Sequence, residues 1–304
     1  MKLTFKKQFM VLMFLLLNCF ASYAANEDLI TKQITLKLTE AGTLPNKIAS
    51  SEKNLVTNLK IIGEINGTDL RFIREMAGRD VEGHSTSGNL SVLDLSEARF
   101  VAGGDYYYCY SGHYYYTSND IIGASVFSDC RSLTSVIIPS SVTEIGWGVF
   151  KYCRSLTSVN IPSSVTEIGE YAFWGCSSLT SVDIPSSVTS IGERAFYDCS
   201  GLRSIYVYAG TVPSTVAGAF EGCDSKNCTL YVPKGTYDAY WLTEWGYFEN
   251  IVEFDAANIR NIVMEPEVQE NARYAVNGQR LTAPVKGINL VKYNNGRVKK
   301  EIVK

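Results

Sequence analysis

The stretch FKYCRSLTSVNIPSSVTEIG at residues 150–169 decides how this chain folds. It returns with a period of 23 residues, so that each of its key residue types occupies the same place in every copy. The Phe column is Phe127, Phe150, Phe173 and Phe196, and the Cys column is Cys130, Cys153, Cys176 and Cys199. A constant period of this length predicts a solenoid, in which each copy forms one coil stacked on the one before.

Each copy contains the signals for a short strand and for the turns that return the chain. One copy includes Leu133, Val136 and Ile138. Their spacing is that of a short strand whose alternate side chains face the interior. Pro139 ends that strand because it has no amide hydrogen to donate, and Gly146 is interpreted as the residue that permits a tight backbone turn. One coil buries too little apolar surface to offset the entropy of ordering its residues, so the coils must stack and the ends must be capped.

The predicted fold is therefore a β-rich solenoid, a right-handed coil of about seven rungs with a cap at each end and a small all-β module at the C-terminus. Two irregular rungs precede four clear ones and one follows them. The turn signal Asn66-Gly67 and the helical spacing of Leu70, Ile73, Arg74 and Met76 predict one short helix in the N-terminal cap. The predicted segments are a signal peptide (1–24), an N-terminal cap with irregular repeats and a Tyr-rich loop (25–120), the repeat array (121–233), a C-terminal cap (234–256) and the tail module (257–304).

Two segments near the C-terminus have their own signals. The closing segment is rich in aromatic residues and is expected to cover the last coil: Tyr237, Tyr240, Trp241, Trp245, Phe248 and Ile251. In the tail, the turn signal Asn277-Gly278 between Tyr274-Ala275-Val276 and Gln279-Arg280-Leu281 predicts a β-hairpin. Residues 288–293 and 298–303 are expected to add further strands, separated by an Asn-Asn-Gly turn.

The N-terminal segment predicts export. Three Lys residues precede the apolar run 9–17, and Ser22-Tyr23-Ala24 supplies small residues at a cleavage position. The run is too short to span a bilayer comfortably. Cys19 leaves lipid anchoring open as an alternative, although Asn18 is a poor match to a lipoprotein signal. Removal of residues 1–24 leaves 25 basic and 31 acidic residues, a balance of −6 that argues against nucleic acid as a partner.

The Cys column predicts buried thiols that pack beneath the Phe column. Disulfides within the column are not expected, because a regular stack does not offer the required twisted geometry. One Cys per coil also forms a ladder and not the clustered set that zinc needs, so no metal site is predicted. Cys223 and Cys228 lie close in sequence outside the regular column, and they are the more plausible pair for a bridge.

The repeated unit Phe-x-x-Cys-x-x-Leu-Thr-x-Val-x-Ile-Pro-x-x-Val-Thr-x-Ile-Gly resembles the BspA-like leucine-rich repeats of bacterial surface proteins. The match is most specific over residues 127–207. The caps resemble those of such proteins from Bacteroidetes, and the tail is similar to C-terminal modules of exported proteins of that phylum, some of which act as sorting signals. The resemblance implies a non-enzymatic surface or secreted protein that adheres to host matrix proteins, host cells or other bacteria. It transfers no binding residue, since one scaffold serves many partners.

Comparison of the copies with one another indicates where a partner could bind. The outward strand position holds Ile137, Asn160, Asp183 and Tyr206, which are expected to form one column. Aromatic residues also vary at the coil corners, where Trp147, Tyr171 and Trp174 are candidate contacts because aromatic side chains bring a large contact area. The alternatives are a solvated column without a role and a Trp that only covers its neighbour.

The most irregular segment is 103–116, which interrupts the array and contains seven Tyr residues. It is expected to form a loop that projects from one face of the solenoid. Tyr together with Ser and Gly is typical of adaptable binding loops. The candidate contact residues are Tyr106, Tyr107, Tyr108, Tyr114, Tyr115 and Tyr116. The alternative is a segment that folds down to cover an irregular junction between coils.

No enzymatic activity and no cofactor are predicted. Only two His residues are present, His84 and His113, and neither belongs to a metalloprotease motif or a recognisable triad. The predicted function is that of an adhesin that contacts host or bacterial proteins through the solenoid face and the Tyr-rich loop. The alternative is a glycan-binding module that uses exposed Tyr and Trp rings. The sequence leaves the oligomeric state open.

Overall fold

The computed structural model describes residues 28–216, 218–255, 270–275, 279–281, 283, 285–293 and 298–303. The predicted signal peptide with Cys19 and the Asn-Gly and Asn-Asn-Gly turns of the tail lie outside these residues. The chain divides into two compact units, with the boundary after Glu253.

The first unit consists mostly of short strands. Its helices are α1 (Gly67–Met76) and α2 (Tyr237–Trp241), with 3₁₀ turns at Leu44–Asn46 and Glu244–Tyr247. Its strands are β1 (Ile34–Lys37), β2 (Asn58–Ile65), β3 (Val92–Phe100), β4 (Gly103–Tyr110), β5 (His113–Thr117), β6 (Ile121–Ile122), β7 (Ser135–Ile137), β8 (Glu144–Ile145), β9 (Ser158–Asn160), β10 (Glu167–Ile168), β11 (Ser181–Ile184), β12 (Ser190–Ile191), β13 (Ser204–Val207), β14 (Ser214–Thr215), β15 (Thr229–Pro233) and β16 (Asn250–Phe254).

The strands stack as the predicted solenoid. One side of the coils forms two ladders, β1-β2-β3-β7-β9 and β11-β13-β15-β16, and a second side forms the ladder β6-β8-β10-β12-β14. Strands from neighbouring copies pair in parallel with the sequence period, so that Val136 lies beside Val159. The fold class is therefore confirmed. The ladders of the first side contain nine strands where the sequence predicted about seven rungs, because β1 and β16 carry no copy of the repeat.

The third side of each coil is a turn without regular strands, yet it also forms a ladder. The amides of Gly148, Phe150 and Tyr152 donate to the carbonyl oxygens of Glu170, Ala172 and Trp174 in the next coil, at 2.6–2.9 Å. The next junction has the same pattern, in which Phe173 donates to Ala195 at 2.7 Å. Backbone hydrogen bonds thus join successive coils on all three sides, and the core lies between them.

The Phe column is the spine of that core. Successive rings from Phe127 to Phe220 stack nearly parallel, with centroids 5.0–5.6 Å apart. Beside them the thiols from Cys153 to Cys223 donate to the carbonyl of the Phe in the preceding coil, as from Cys153 to Phe127 at 2.9 Å and from Cys223 to Phe196 at 3.2 Å. The predicted buried thiols are confirmed. Burial raises the pKa of Cys130 to about 11.

The sequence left open a bridge between Cys223 and Cys228, and in the structure both thiols are free and buried. The prediction placed Cys223 outside the column. Its hydrogen bond to Phe196 shows that it continues the column by one coil after a spacing of 24 residues.

The repeated Gly also has a different role from the predicted one. Gly146 and Gly169 are not in the left-handed region of backbone conformation. A Cβ atom on Gly169 would lie 2.8 Å from the carbonyl carbon of Gly146 in the preceding coil. The repeat therefore requires Gly at this position because neighbouring backbones approach closely, not because the turn needs a positive φ angle.

Thiol labelling tests the state of the cysteines. In the native protein at pH 8, we expect the buried thiols to react slowly and half-buried Cys109 to react first. The raised pKa values keep the buried thiols protonated at that pH, and the thiolate is the reactive form. In urea, all seven cysteines of the described residues should react without a reducing agent. A Cys109→Ser variant identifies the fast site, and a shortfall of two thiols in urea would show that a disulfide exists.

Both caps are formed mainly as predicted. Asn66 is the N-cap of α1 and makes a capping box with Asp69, so the Asn-Gly pair begins the predicted helix and does not form a separate turn. At the other end, the indole N–H of Trp245 donates to Pro213 at 3.2 Å, and the hydroxyl of Tyr240 donates to Ala209 at 2.6 Å. Trp245 and Phe248 contact the ring of Phe220 and close the spine.

The second unit is a small antiparallel sheet with the order β18-β17-β19-β20. Its strands are β17 (Glu270–Ala275), β18 (Arg280–Leu281), β19 (Gly287–Tyr293) and β20 (Val298–Val303). Tyr274 pairs with Arg280 across the predicted hairpin, and Ile288 pairs with Ile302. The tail is thus the small all-β module that the sequence predicts.

Candidate binding surfaces

The Tyr-rich segment is an ordered hairpin and not the predicted loop. Strands β4 and β5 pair antiparallel, with Tyr108 opposite Tyr115 and Tyr110 opposite His113. Ser111 and Gly112 form the turn between them, both at positive φ angles of 50° and 81°. That conformation at both central residues is the one that two-residue hairpin turns favour.

One set of tyrosines attaches the hairpin to the solenoid. Tyr107 is only 1% exposed and donates its hydroxyl hydrogen to Ala124 at 2.9 Å. Tyr108 lies under the guanidinium of Arg74, at 4.7 Å, and against Tyr115. Tyr108 and Tyr115 pack against the hydrophobic core. Tyr107 is thus a buried support of the hairpin, whereas the predicted contact role needs an exposed ring. The predicted alternative, a segment that covers a junction, describes this half of the hairpin.

The other set is open to solvent. Tyr114 and Tyr116 are each 56% exposed, and their rings meet the ring of Tyr106 at 4.8 and 6.4 Å. The guanidinium of Arg71 lies 4.9 Å from the Tyr106 ring, and Asp105 accepts a hydrogen bond from the Thr68 hydroxyl at 3.2 Å. We refer to Tyr106, Tyr114 and Tyr116 as the tyrosine triad. It combines three aromatic rings with a backbone that is fixed to helix α1.

The predicted strand column exists in two halves. Ile137 lies beside Asn160, and Asp183 lies beside Tyr206, but the hydrogen-bonded ladder is interrupted between β9 and β11. The Tyr206 ring stacks on Tyr231 at 4.4 Å. Burial raises the pKa of the Asp183 carboxyl. Asn160 is exposed and the other three are partly buried, so the column is a mixed polar and aromatic surface and not a uniform groove.

The corner aromatics form a cluster around a residue that the sequence analysis missed. The ammonium of Lys151 lies 4.3 Å from the ring of Trp174 and 5.2–5.5 Å from the rings of Trp147, Tyr152 and Tyr171. Trp147 is 38% exposed. We call these five residues the Lys151 patch. Burial lowers the pKa of Lys151. The repeat offered the signal, since Lys151, Trp174 and Tyr197 hold one position in successive copies.

Two residues of the Lys151 patch have an unusual backbone. Tyr152 and Tyr171 lie in the left-handed region, with φ angles of 61° and 58°. The equivalent positions in neighbouring coils hold Gly175 and Gly148, at 72° and 59°. A bulky residue in this region is strained by about 1 kcal/mol or more. The turn is left-handed in the other copies too, where these positions hold residues such as Ser125, Asp129 and Arg194, so the two coils of the patch differ in having Tyr there.

The array itself is identified by comparison. Residues 119–237 match the family described as a BspA type leucine rich repeat region, in six copies. This segment is a BspA-type leucine-rich repeat array. Leucine-rich repeat proteins are generally non-enzymatic binding proteins. No curated protein sequence matches the chain significantly.

Several solved structures are similar to the chain that carries this BspA-type array. A leucine-rich repeat protein of T. pallidum is 26% identical over 46% of this chain and 64% of that one, with a TM-score of 0.36. One from Bacteroides ovatus is 19% identical over 74% and 66%, with a TM-score of 0.36. A leucine-rich cell surface protein of Faecalibacterium prausnitzii is 17% identical over 69% and 66%, with a TM-score of 0.32. The chain thus spans just under two thirds of the length of these structures.

The described residues of the BspA-type array and its caps offer little to a catalytic mechanism. His84 lies in an exposed turn 3.2 Å from Asp80, and His113 is exposed at the hairpin turn. A cleft of about 490 Å³ at the coil corners has no titratable side chain in its lining of Ser186, Val188, Thr189, Ala209, Gly210, Thr211 and Val212. Within the described residues no cluster of His, Cys, Asp or Glu is arranged to hold a metal, and no helix is long and apolar enough to cross a bilayer.

Proposed function

We propose that the chain is a non-enzymatic adhesin, exported to the cell surface or secreted, that binds a host or bacterial protein. The observation that carries this proposal is the tyrosine triad on its fixed hairpin. Two of its rings are more than half exposed, while Tyr107 and Tyr108 hold the strand beneath them on α1 and the first coils. Folding of the chain already orders these aromatic residues, so binding a partner would lose little further conformational entropy.

The helix beneath the hairpin supports this proposal. Gly67 allows the strand to lie directly on α1, since a Cβ atom there would collide with the carbonyl of Asp105. The amide of Cys109 donates to Val81 at 2.7 Å, which fixes the far end of the strand. Aromatic residues on a rigid support are typical of the residues that dominate binding energy at protein interfaces.

Binding measurements on the full chain test the proposal. A panel of host matrix proteins is immobilised, and the chain is compared with a Tyr114→Ser/Tyr116→Ser double variant. We expect the double variant to lose at least about tenfold in affinity for any bound protein, because two exposed rings at an interface contribute more than about 1.4 kcal/mol. Its thermal midpoint should change little, since both side chains point to solvent.

Tyr237→Ser is the matched control, since Tyr237 is an exposed aromatic residue on the C-terminal cap. It should bind as the parent does. Equal binding by the double variant would show that the hairpin is not the contact surface. A glycan array run beside the protein panel separates the two candidate classes, and silence on both would contradict both.

A further inference from the structure

Neither Lys151 of the patch nor Arg154, three residues further along the chain, has a carboxylate partner among the described residues. Within the described residues, none of the ion pairs involves Lys151 or its neighbour Arg154. The Arg154 guanidinium is exposed and lies 5.9 Å from the ring of Tyr152. By contrast, Arg194 at the edge of the patch pairs with Glu193 at 2.9 Å. Two positive groups therefore face aromatic rings on a chain whose net charge is negative.

The rings provide flat faces at several angles. Trp174 meets Tyr152 at 5.3 Å and Tyr171 at 5.2 Å, in both cases tilted, and Trp147 meets Tyr171 edge-on at 5.7 Å. They come from two successive coils, so the repeat spacing sets the distance between them. Trp147 is the exposed ring of the patch, and it lies 5.2 Å from the Lys151 ammonium. This pairing suits a ligand with an apolar flat side and an anionic group.

Packing between coils alone does not account for the patch. The adjacent coils make the same left-handed turn with Asp129, Gly148, Gly175 or Arg194, so the turn itself does not require an aromatic ring. An ammonium that only covered the surface would extend into water, where its charge is better solvated. Here the side chain is directed over four rings, and burial lowers its pKa.

We propose that the Lys151 patch binds an acidic sugar of a glycan, with the sugar carboxylate paired to Lys151 and Arg154 and the ring C–H groups packed on Trp147. The carboxylate would supply the partner that both cations lack, in charge-assisted hydrogen bonds. A sugar ring has a flat apolar face of the size of an aromatic ring, whereas an acidic peptide would use the cations and leave the rings without a role. This site is separate from the tyrosine triad, and neither depends on the other.

Titration of the full chain with acidic sugars tests the site. The probes are sialyllactose and trigalacturonate, each compared with its neutral methyl ester, and binding is followed by tryptophan fluorescence and by saturation-transfer NMR. We expect at least one acidic probe to bind, and to bind at least about tenfold more tightly than its ester. That binding should weaken as salt is raised, since the patch is partly exposed to solvent.

Three variants locate the binding. Tyr171→Gly introduces the residue that the preceding coil has at this position, so it removes a ring without disturbing the turn. Arg154→Gln and Lys151→Gln remove the cations, the first at an exposed position where little effect on folding is expected. Each variant should lower the affinity for the acidic probe several-fold. The exposed control Lys234→Gln on the C-terminal cap should leave that affinity unchanged.

Four results would overturn the proposal: no binding by either acidic probe, equal binding by the esters, unchanged binding by Arg154→Gln and Tyr171→Gln, or equally tight binding of a Glu-rich peptide. The Tyr114→Ser/Tyr116→Ser variant distinguishes the two proposals, because it should keep the sugar affinity of the parent. Failure of one site therefore leaves the test of the other intact.

Discussion

Replacement of Phe173 by Ala is expected to lower the free energy of unfolding of the solenoid by about 3–5 kcal/mol. Phe173 is fully buried, and its ring stacks between Phe150 at 5.3 Å and Phe196 at 5.0 Å. The variant would leave a cavity at the middle of the spine, where backbone ladders on all three sides prevent the coils from closing over it. Urea unfolding followed by circular dichroism measures the change.

Tyr116→Ala provides the comparison, because it removes an aromatic ring that is exposed on the hairpin. Its effect should stay within about 0.5 kcal/mol. A Phe173→Leu variant should fall between the two, since it retains part of the buried volume. If Phe173→Ala cost no more than Tyr116→Ala, the stacked spine could not be the main source of stability.

Replacement of Arg74 by Ala is expected to cost about 3 kcal/mol or more, since buried groups that lose a partner each cost about 1–3 kcal/mol. Arg74 is fully buried in α1. Its guanidinium donates to the carbonyl oxygens of Ser125 and Val126, both at 2.9 Å, and of Asp80 at 3.2 Å. The same group covers the ring of Tyr108. One side chain thus joins the helix, the hairpin and the first coil of the array.

Hydrogen exchange adds a local readout to the unfolding measurement for this variant. The amide of Cys109, which donates to Val81, should lose protection when the hairpin loosens. Arg71→Ala is the matched control on the same helix, since Arg71 is partly exposed and its ion pair with Asp105 is a weak surface contact. If Arg74→Ala lowered the free energy of unfolding and the protection of the Cys109 amide no more than Arg71→Ala does, Arg74 would not join the helix to the hairpin and the first coil.

The repeats made the fold predictable, because one coil determined from residues 132–151 applies to every copy. The terminal strands were missed where the copies end, since β1 and β16 pair by backbone hydrogen bonds that require no motif. The hairpin was interpreted as a loop from its composition. Ser111-Gly112 between two runs of Tyr was a hairpin signal in the sequence, but no pattern indicated that Tyr107 would be buried.

The site residues were predictable only in part, for a physical reason. Positions that vary between copies are not required to fill the hydrophobic core, and this comparison identifies Trp147, Tyr171 and Trp174 as candidates. It cannot show that a Lys side chain turns back over rings from the next coil, because that depends on rotamers and on coil spacing. It also cannot show a left-handed backbone at Tyr152, since Gly, Asp and Tyr all occupy that position in different copies.

The repeated spine has a consequence for how such a protein changes over evolution. Each junction from Phe127 to Phe196 repeats the same ring stack and thiol bond. Duplication or deletion of one 23-residue unit in the gene would therefore preserve the spine and would change the length of the solenoid by about 4.8 Å per unit. The distance between the hairpin and the C-terminal cap would change by the same amount, while the surface of each would stay the same.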